Sequence, residues 1–318
     1  MVKSEVQTTI APGTRLPRAH PNGGPPSCPS PASRCTEDHV TSRTTPPPTR
    51  RQRELREDVL KISHAVYTPP DLYVVAVDLS GHGLSSHRPA GCSYSYHEYV
   101  MDVCRLVHHL GWRSFAILGH SFGCTVGMMY AALFPDRVSA IVALDLYAPL
   151  HLPDDRVAED SAKCFEGYLR LEAKLGDPPV YTEAELMRRL DEATLRTLTE
   201  DSMRILLKRE TVPCGPGTLR VTTDPLTKVI STVQLTRDYQ SVLMERFHGD
   251  LLVLTASQVD GRIMRESMGH FFELHRRCCR RFEHAEVEGN HYVHLNRPET
   301  VAPLIEAFLG SLPEEGSS

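Results

Sequence analysis

The 318-residue sequence has one tryptophan, no C-x-x-C pair, and no lysine/arginine run with interleaved aromatics. Each lack excludes something. Without a basic stripe, and with a net charge of −5, nothing in the charge pattern points to a nucleic-acid partner. No stretch approaches the ~20 consecutive apolar residues that span a bilayer, so no transmembrane segment is expected. The first residues, MVKSEVQTTIAPGTRLP, lack the apolar h-region of a secretory signal. The nine cysteines are scattered, with one adjacent pair at Cys278-Cys279, and form neither a disulfide framework nor a metal-ligand spacing. Reduced thiols in a cytoplasmic protein, with no metal and no cofactor, are the expectation. What remains is ordinary soluble composition, 41% hydrophobic and 24% charged, on a chain long enough for one large α/β domain with an insertion.

Proline is unevenly spread. Ten of the 24 prolines fall in the first fifty residues, among Ser, Thr, Arg and Gly with little apolar periodicity. Such a segment cannot offset its ordering entropy by burial, so residues 1–52 are expected to be disordered. Residues 53–70 read as a short helix (53–66) or linker ending at Pro69-Pro70. From residue 71 the pattern changes to DLYVVAVDL, an apolar β-branched run followed by a Gly/Ser turn. The spacing of Tyr96, Tyr99, Val100, Val103, Leu106, Val107 and Leu110 predicts a helix over 94–110, closed by Gly111. A strand at 114–118, an apolar helix at 122–134 and a strand at 139–146 follow. Strand–helix–strand–helix–strand with short joins predicts α/β architecture with a parallel sheet. Residues 150–245 are polar and helical in character and read as an inserted cap. The α/β rhythm resumes with a strand at 250–256, a helix at 263–278, a strand at 281–287 and a helix at 298–309. The core is thus expected in two pieces, 71–149 and 246–312.

The segment Gly119-His120-Ser121-Phe122-Gly123 carries the sharpest chemistry. It matches G-x-S-x-G between a predicted strand and a predicted helix, the setting of a nucleophile elbow. Glycines at 119 and 123 let the chain turn tightly. The helix N-terminus favours negative charge developing near Ser121, and the Phe122 N–H is a candidate oxyanion donor. A serine hydroxyl needs a base, and the base needs an orienting carboxylate. His291, in GNHYVHLNRPE after the last predicted strand, is the candidate base, with His294 as competitor. Asp260, after the 250–256 strand, is the candidate acid. Asp145, at the end of the 139–146 strand, is the alternative. The Asp78-Leu79-Ser80-Gly81-His82-Gly83 turn reads as structural. It has neither the third glycine of a dinucleotide loop nor a P-loop lysine.

Together, VVAVDLSGHGLSS, FAILGHSFG and GNHYVHLNRPE resemble the α/β-hydrolase superfamily, most closely its serine hydrolase-like group, over about residues 71–309. The resemblance implies an α/β-hydrolase fold with a helical cap and hydrolysis of a carboxylic ester or related acyl substrate, a small molecule. Ser121 would be the nucleophile, His291 the base and Asp260 the acid. It also implies a peroxisomal or vesicle-associated site, although the chain ends in EEGSS. The family opens with further strands and a His-Gly loop that supplies a second oxyanion N–H. No matching strands precede residue 71, and His20-Pro21-Asn22-Gly23-Gly24 lacks the strand such a loop needs. The N-terminal strands are therefore expected to be missing. Three accounts follow: a truncated or alternative chain whose start replaces the usual one, a catalytically silent relative that acts by binding or regulation, or an active enzyme in which 53–66 stands in for the lost strand. Cap residues Phe165, Tyr168 and Tyr181 either line a pocket or pack helices. Oligomeric state is not legible.

Overall fold

The computed structural model describes residues 7–12, 74–149, 154–229, 235–258 and 261–313, with the backbone alone for 7–12 and 261–267. Four strands form a parallel set: β3 (Phe115–His120), β4 (Val138–Leu144), β8 (Asp250–Ala256) and β9 (Arg281–Val287). Their side chains alternate between two apolar layers, as a sheet covered on both faces requires. Phe115, Ile117, Ile141, Ala143, Leu251 and Val253 face one layer. Ala116, Ala140, Val142, Leu144, Leu252 and Leu254 face the other.

Helices supply both layers. On the first face lie α1 (Tyr96–Leu110), α2 (Phe122–Leu133), α6 (Arg237–Met244) and α7 (Gly261–Cys278). On the second lies α8 (Pro298–Gly310), through Val301, Ala302, Ile305 and Phe308. The termini of α1 follow local rules. The Ser95 side chain caps its start by accepting from the Glu98 N–H, and Gly111 ends it in the left-handed region. Gly127 lets α2 lie against β3, since a Cβ there would sit 2.8 Å from Ile117 Cγ2.

The remaining strands correct two expectations. Residues 7–12, read as part of a disordered segment, form β1 (Gln7–Pro12), which lies between β2 (Val75–Asp78) and β3. β1 runs antiparallel to both neighbours, pairing Thr9 with Ala76 and with Leu118. The sheet order is β2-β1-β3-β4-β8-β9, so the gap left by the missing strand is filled. The physical reason is the open ladder: β2 and β3 each present backbone donors and acceptors that need partners, and Thr8-Thr9-Ile10 is a β-branched run ahead of the first proline, Pro12. Local composition predicted coil, and tertiary demand overrode it. The rest of 1–52, and the helix expected at 53–66, lie outside the described residues.

The insertion between β4 and β8 is not purely helical. It holds α3 (Val157–Glu172), α4 (Glu183–Ala193) and α5 (Glu200–Glu210), then a small antiparallel sheet of β5 (Val180–Tyr181), β7 (Thr218–Val221) and β6 (Thr211–Gly215). Leu186, Leu190, Leu198, Met203, Leu206 and Leu207 form its core together with Tyr292 and Leu295 from the loop after β9. Tyr168 donates to the Cys92 carbonyl at 3.0 Å, and the Arg189 guanidinium sits over the Tyr181 ring, so both tyrosines hold elements together. Phe165 is half exposed. Among the described residues no helix is long and apolar enough to cross a membrane.

The role of β1 can be tested directly. Thr9→Pro removes a ladder N–H in the middle of the strand, and should cost ~1–3 kcal/mol in urea unfolding followed by circular dichroism. An unchanged midpoint would show that the sheet is completed without residues 7–12.

Candidate active site

Three turns at the C-terminal ends of the parallel strands converge. The first follows β3. Ser121 has φ 50° and ψ −118°, a conformation that a non-glycine residue adopts only when its surroundings impose it. Its N–H donates to the Leu144 carbonyl at 3.0 Å, which continues the β3–β4 ladder into the turn. A Cβ on Gly119 would lie 2.8 Å from the Cys124 N, so this glycine is required by the close return of the chain. Phe122 opens α2, and Phe122 through Ala132 are all buried. The Ser121 turn is therefore anchored by a helix packed in the core. The Cys124 thiol donates to the Gly119 carbonyl at 2.7 Å, and burial raises its pKa.

The second turn follows β4. Asp145 is also a positive-φ residue, at 60°. Its N–H donates to the Leu254 carbonyl at 2.7 Å, and its Oδ1 accepts from the Ala256 N–H at 2.9 Å. Both bonds tie the carboxylate to β8. The third turn follows β9. Gly289 has φ 152°, and a Cβ there would lie 2.7 Å from Val293 Cγ2. His291 comes two residues later, and its Nδ1 lies 2.5 Å from Asp145 Oδ2. Asp145 is nearly fully buried while about a third of the His291 side chain is open to solvent. A short charge-assisted bond from Nδ1 leaves Nε2 as the reactive nitrogen of the ring.

This arrangement puts His291 on Asp145 and its ring 4.5 Å from that of His120, which directly precedes Ser121 and Phe122 in the elbow turn. Asp260, the carboxylate favoured on sequence, lies outside the described residues. The carboxylate on His291 Nδ1 is Asp145, so the position a triad acid would occupy is filled. A signal for Asp145 did exist, an aspartate at the C-terminal end of a predicted strand adjacent to the elbow strand. Asp260 has the same signal one strand later, and sequence does not rank the two. His294, the competing base, is buried at 2% exposure, and burial depresses its pKa to about 3.

Sequence reasoning missed how the His291 loop is tied to the insertion. Asn290 and Asn296, on either side of the base, each donate to the Thr197 carbonyl at 2.7 Å, and Asn296 Oδ1 accepts from the Thr199 N–H at 3.0 Å. Asn290 in the Gly-Asn-His run is thus a strut between loop and cap.

The Asp78–Gly83 turn, read from sequence as structural, is bound on several sides. Asp78 Oδ2 accepts from the Leu84 N–H at 2.9 Å, and a Cβ on Gly83 would lie 2.3 Å from it. Arg209, at the end of α5, donates to the same oxygen from Nε at 2.8 Å and from Nη2 at 2.7 Å, latching the insertion to the core. The neighbouring Glu210 has its pKa raised to about 7, first by burial and then by the Asp78 charge. Among the described residues no group of three or more His, Cys, Asp or Glu side chains converges as metal ligands would.

Comparison with known proteins agrees with this fold. Residues 66–179 match the model of the alpha/beta hydrolase fold. The chain is 31% identical to serine hydrolase-like protein 2 of Homo sapiens over 252 residues, covering 76% of this chain and 79% of that one. It is 32% identical to the serine hydrolase-like protein of Danio rerio, covering 76% and 74% respectively. Among solved structures, a hypothetical protein of Pseudomonas aeruginosa PAO1 superposes with a TM-score of 0.63 at 27% identity, covering 75% of this chain and 81% of that chain. The chain belongs to the α/β-hydrolase superfamily, and within it is related to the serine hydrolase-like proteins.

Glu210 yields a pH prediction. Its folded pKa exceeds the ordinary 4.5, so between pH 4.5 and about 7 the folded chain binds more protons than the unfolded one, and stability falls as pH rises. Glu210→Gln should therefore raise stability at pH 8 by on the order of 1–3 kcal/mol and leave it unchanged at pH 4. Chemical unfolding at the two pH values measures the difference, and an equal effect at both would contradict the assignment.

Proposed function

We propose that the protein is a serine hydrolase acting on a carboxylic ester or related acyl compound through Ser121, His291 and Asp145. The observation that carries this reading is the 2.5 Å contact between His291 Nδ1 and a buried Asp145, beside a serine held at φ 50°. In the proposed cycle His291 Nε2 accepts the proton of the Ser121 hydroxyl as the oxygen attacks the acyl carbon. Asp145 holds the ring in the Nδ1–H tautomer and stabilises the imidazolium that forms. The Phe122 N–H, at the start of α2, supplies an oxyanion donor where the helix field is positive. His291 then returns the proton to the leaving alkoxide, and water repeats the sequence to release the acid. The insertion, fastened through Thr197 and Arg209, forms one wall over the reacting centre and carries substrate selectivity.

One observation favours a second reading, a catalytically silent relative that binds a ligand or partner. In related folds the second oxyanion donor comes from the loop that leaves the central strand at the catalytic edge. Here β1 runs the opposite way, pairing Gln7 with Asp78 and Thr8 with Gly119, so the chain enters the strand at that edge. Loss of one oxyanion donor typically costs ~3 kcal/mol of transition-state stabilisation, which slows an enzyme without abolishing nucleophilic attack.

Covalent labelling by a fluorophosphonate probe separates the two. The folded chain should label, and Ser121→Ala should not. Asp145→Asn should slow labelling by ~10³-fold or more, because the ring loses its orienting carboxylate, whereas Asp260→Asn should stay within ~3-fold of wild type. A folded, unlabelled wild-type chain would overturn the enzyme reading, and the reverse ranking of the two aspartates would overturn the role of Asp145.

A further inference from the structure

His120, the variable position of the G-x-S-x-G motif, has no part in the chemistry outlined above, yet it lies at the centre of the site. It sits at the end of β3, 2% exposed, with its ring between two others: His291 at 4.5 Å and His294 at 3.9 Å between centroids. Its Nε2 lies 2.8 Å from the His291 carbonyl oxygen, joining residues 171 apart in sequence.

The partner's chemistry defines the tautomer. A carbonyl oxygen only accepts, so Nε2 carries the hydrogen and Nδ1 carries the lone pair. Nδ1 is buried and has no hydrogen-bond partner. A ring chosen for packing alone would be apolar at this position, because an unpaired buried nitrogen is destabilising. The nitrogen that is satisfied is the one that holds His291.

We infer that His120 is a positioning residue: its Nε2–H clamps the main chain of His291 and sets the base in register with the adjacent Ser121. The base is then held at two points, by its ring at Asp145 Oδ2 and by its main chain at His120 Nε2. Because His120 directly precedes Ser121, one rigid turn carries both the nucleophile and the anchor of its base. A base displaced by even ~1 Å loses on the order of 100-fold in rate, so such a clamp bears directly on turnover. Burial also keeps His120 uncharged, with a pKa well below the usual histidine value, so it adds no positive charge beside His291 when that ring takes up a proton.

This inference rests on the hydrolase reading, and the test separates the two. Fluorophosphonate labelling rates of the full chain are measured from pH 5 to 9 for wild type, His120→Gln, His120→Asn and His120→Phe, with Ser121→Ala as the blank and a thermal melt for each. Glutamine carries an amide N–H to about the reach of Nε2, whereas asparagine stops near Nδ1. His120→Gln should label within ~3-fold of wild type. His120→Asn and His120→Phe should label ~10- to 100-fold more slowly, with a displaced midpoint in the pH–rate profile. Should the Phe variant fail to fold, the Gln/Asn pair decides. Asn and Phe variants that match wild type in rate and midpoint would overturn the clamp, as would a Gln variant as slow as the Asn one. A folded wild-type chain that labels no more than Ser121→Ala would instead remove the hydrolase reading, and the clamp with it.

Discussion

The site depends on a hydrogen-bond ladder that continues past the ends of its strands. The Ser121 N–H bonds the Leu144 carbonyl, the Asp145 N–H bonds the Leu254 carbonyl, and the Ala256 N–H bonds the Asp145 carboxylate. The bonds join each turn to the neighbouring strand, so the turns after β3 and β4 and the end of β8 are locked in series. That explains how two non-glycine residues, Ser121 and Asp145, persist at positive φ: the sheet over-determines the backbone where side chains must be aimed. The strain is local, and the two packed layers of the sheet hold it.

The reversed strand β1 shows how far a fold's demand for backbone partners can reach. β2 and β3 are separated by one strand width, and whatever fills it must supply donors and acceptors on both sides. A six-residue segment from the N-terminus does so in antiparallel register. The ladder is direction-tolerant. The loop chemistry is not, because reversing a strand exchanges its incoming and outgoing connections. Stability and catalytic completeness are thus separable in this chain: the same strand can complete the sheet and still remove a loop-borne oxyanion donor.

Much of this was legible in sequence, for reasons that also explain what was not. The Leu/Val run at 250–256 and the alternating RFEHAEV segment at 281–287 coincide with β8 and β9, and the helices beginning at Phe122 and Pro298 start where Gly, Pro and periodicity placed them. The sharp turn at Ser121 and the loop of His291 were legible because turn glycines and chain order mark them. β1 was not, since Thr8-Thr9-Ile10 is too short to stand out ahead of the proline-rich stretch that follows and is selected by contacts more than sixty residues away. The small sheet β5–β7–β6 hid in a polar, helix-like composition for the same reason. The choice between Asp145 and Asp260 is a question of which strand end faces His291, and that is a property of sheet order, which sequence does not contain. The roles of His120 and Asn290 are of the same kind, because each acts through a main-chain carbonyl that a sequence motif cannot display.

The central claim is that Asp145 holds the His291 ring by a short hydrogen bond at Nδ1. Proton NMR of the full chain with ¹⁵N-labelled histidine measures it. The account predicts a far-downfield exchangeable proton on His291 Nδ1, present in wild type and in Asp260→Asn and absent in Asp145→Asn. No such proton in the folded protein, or one that survives Asp145→Asn and disappears in Asp260→Asn, would contradict it.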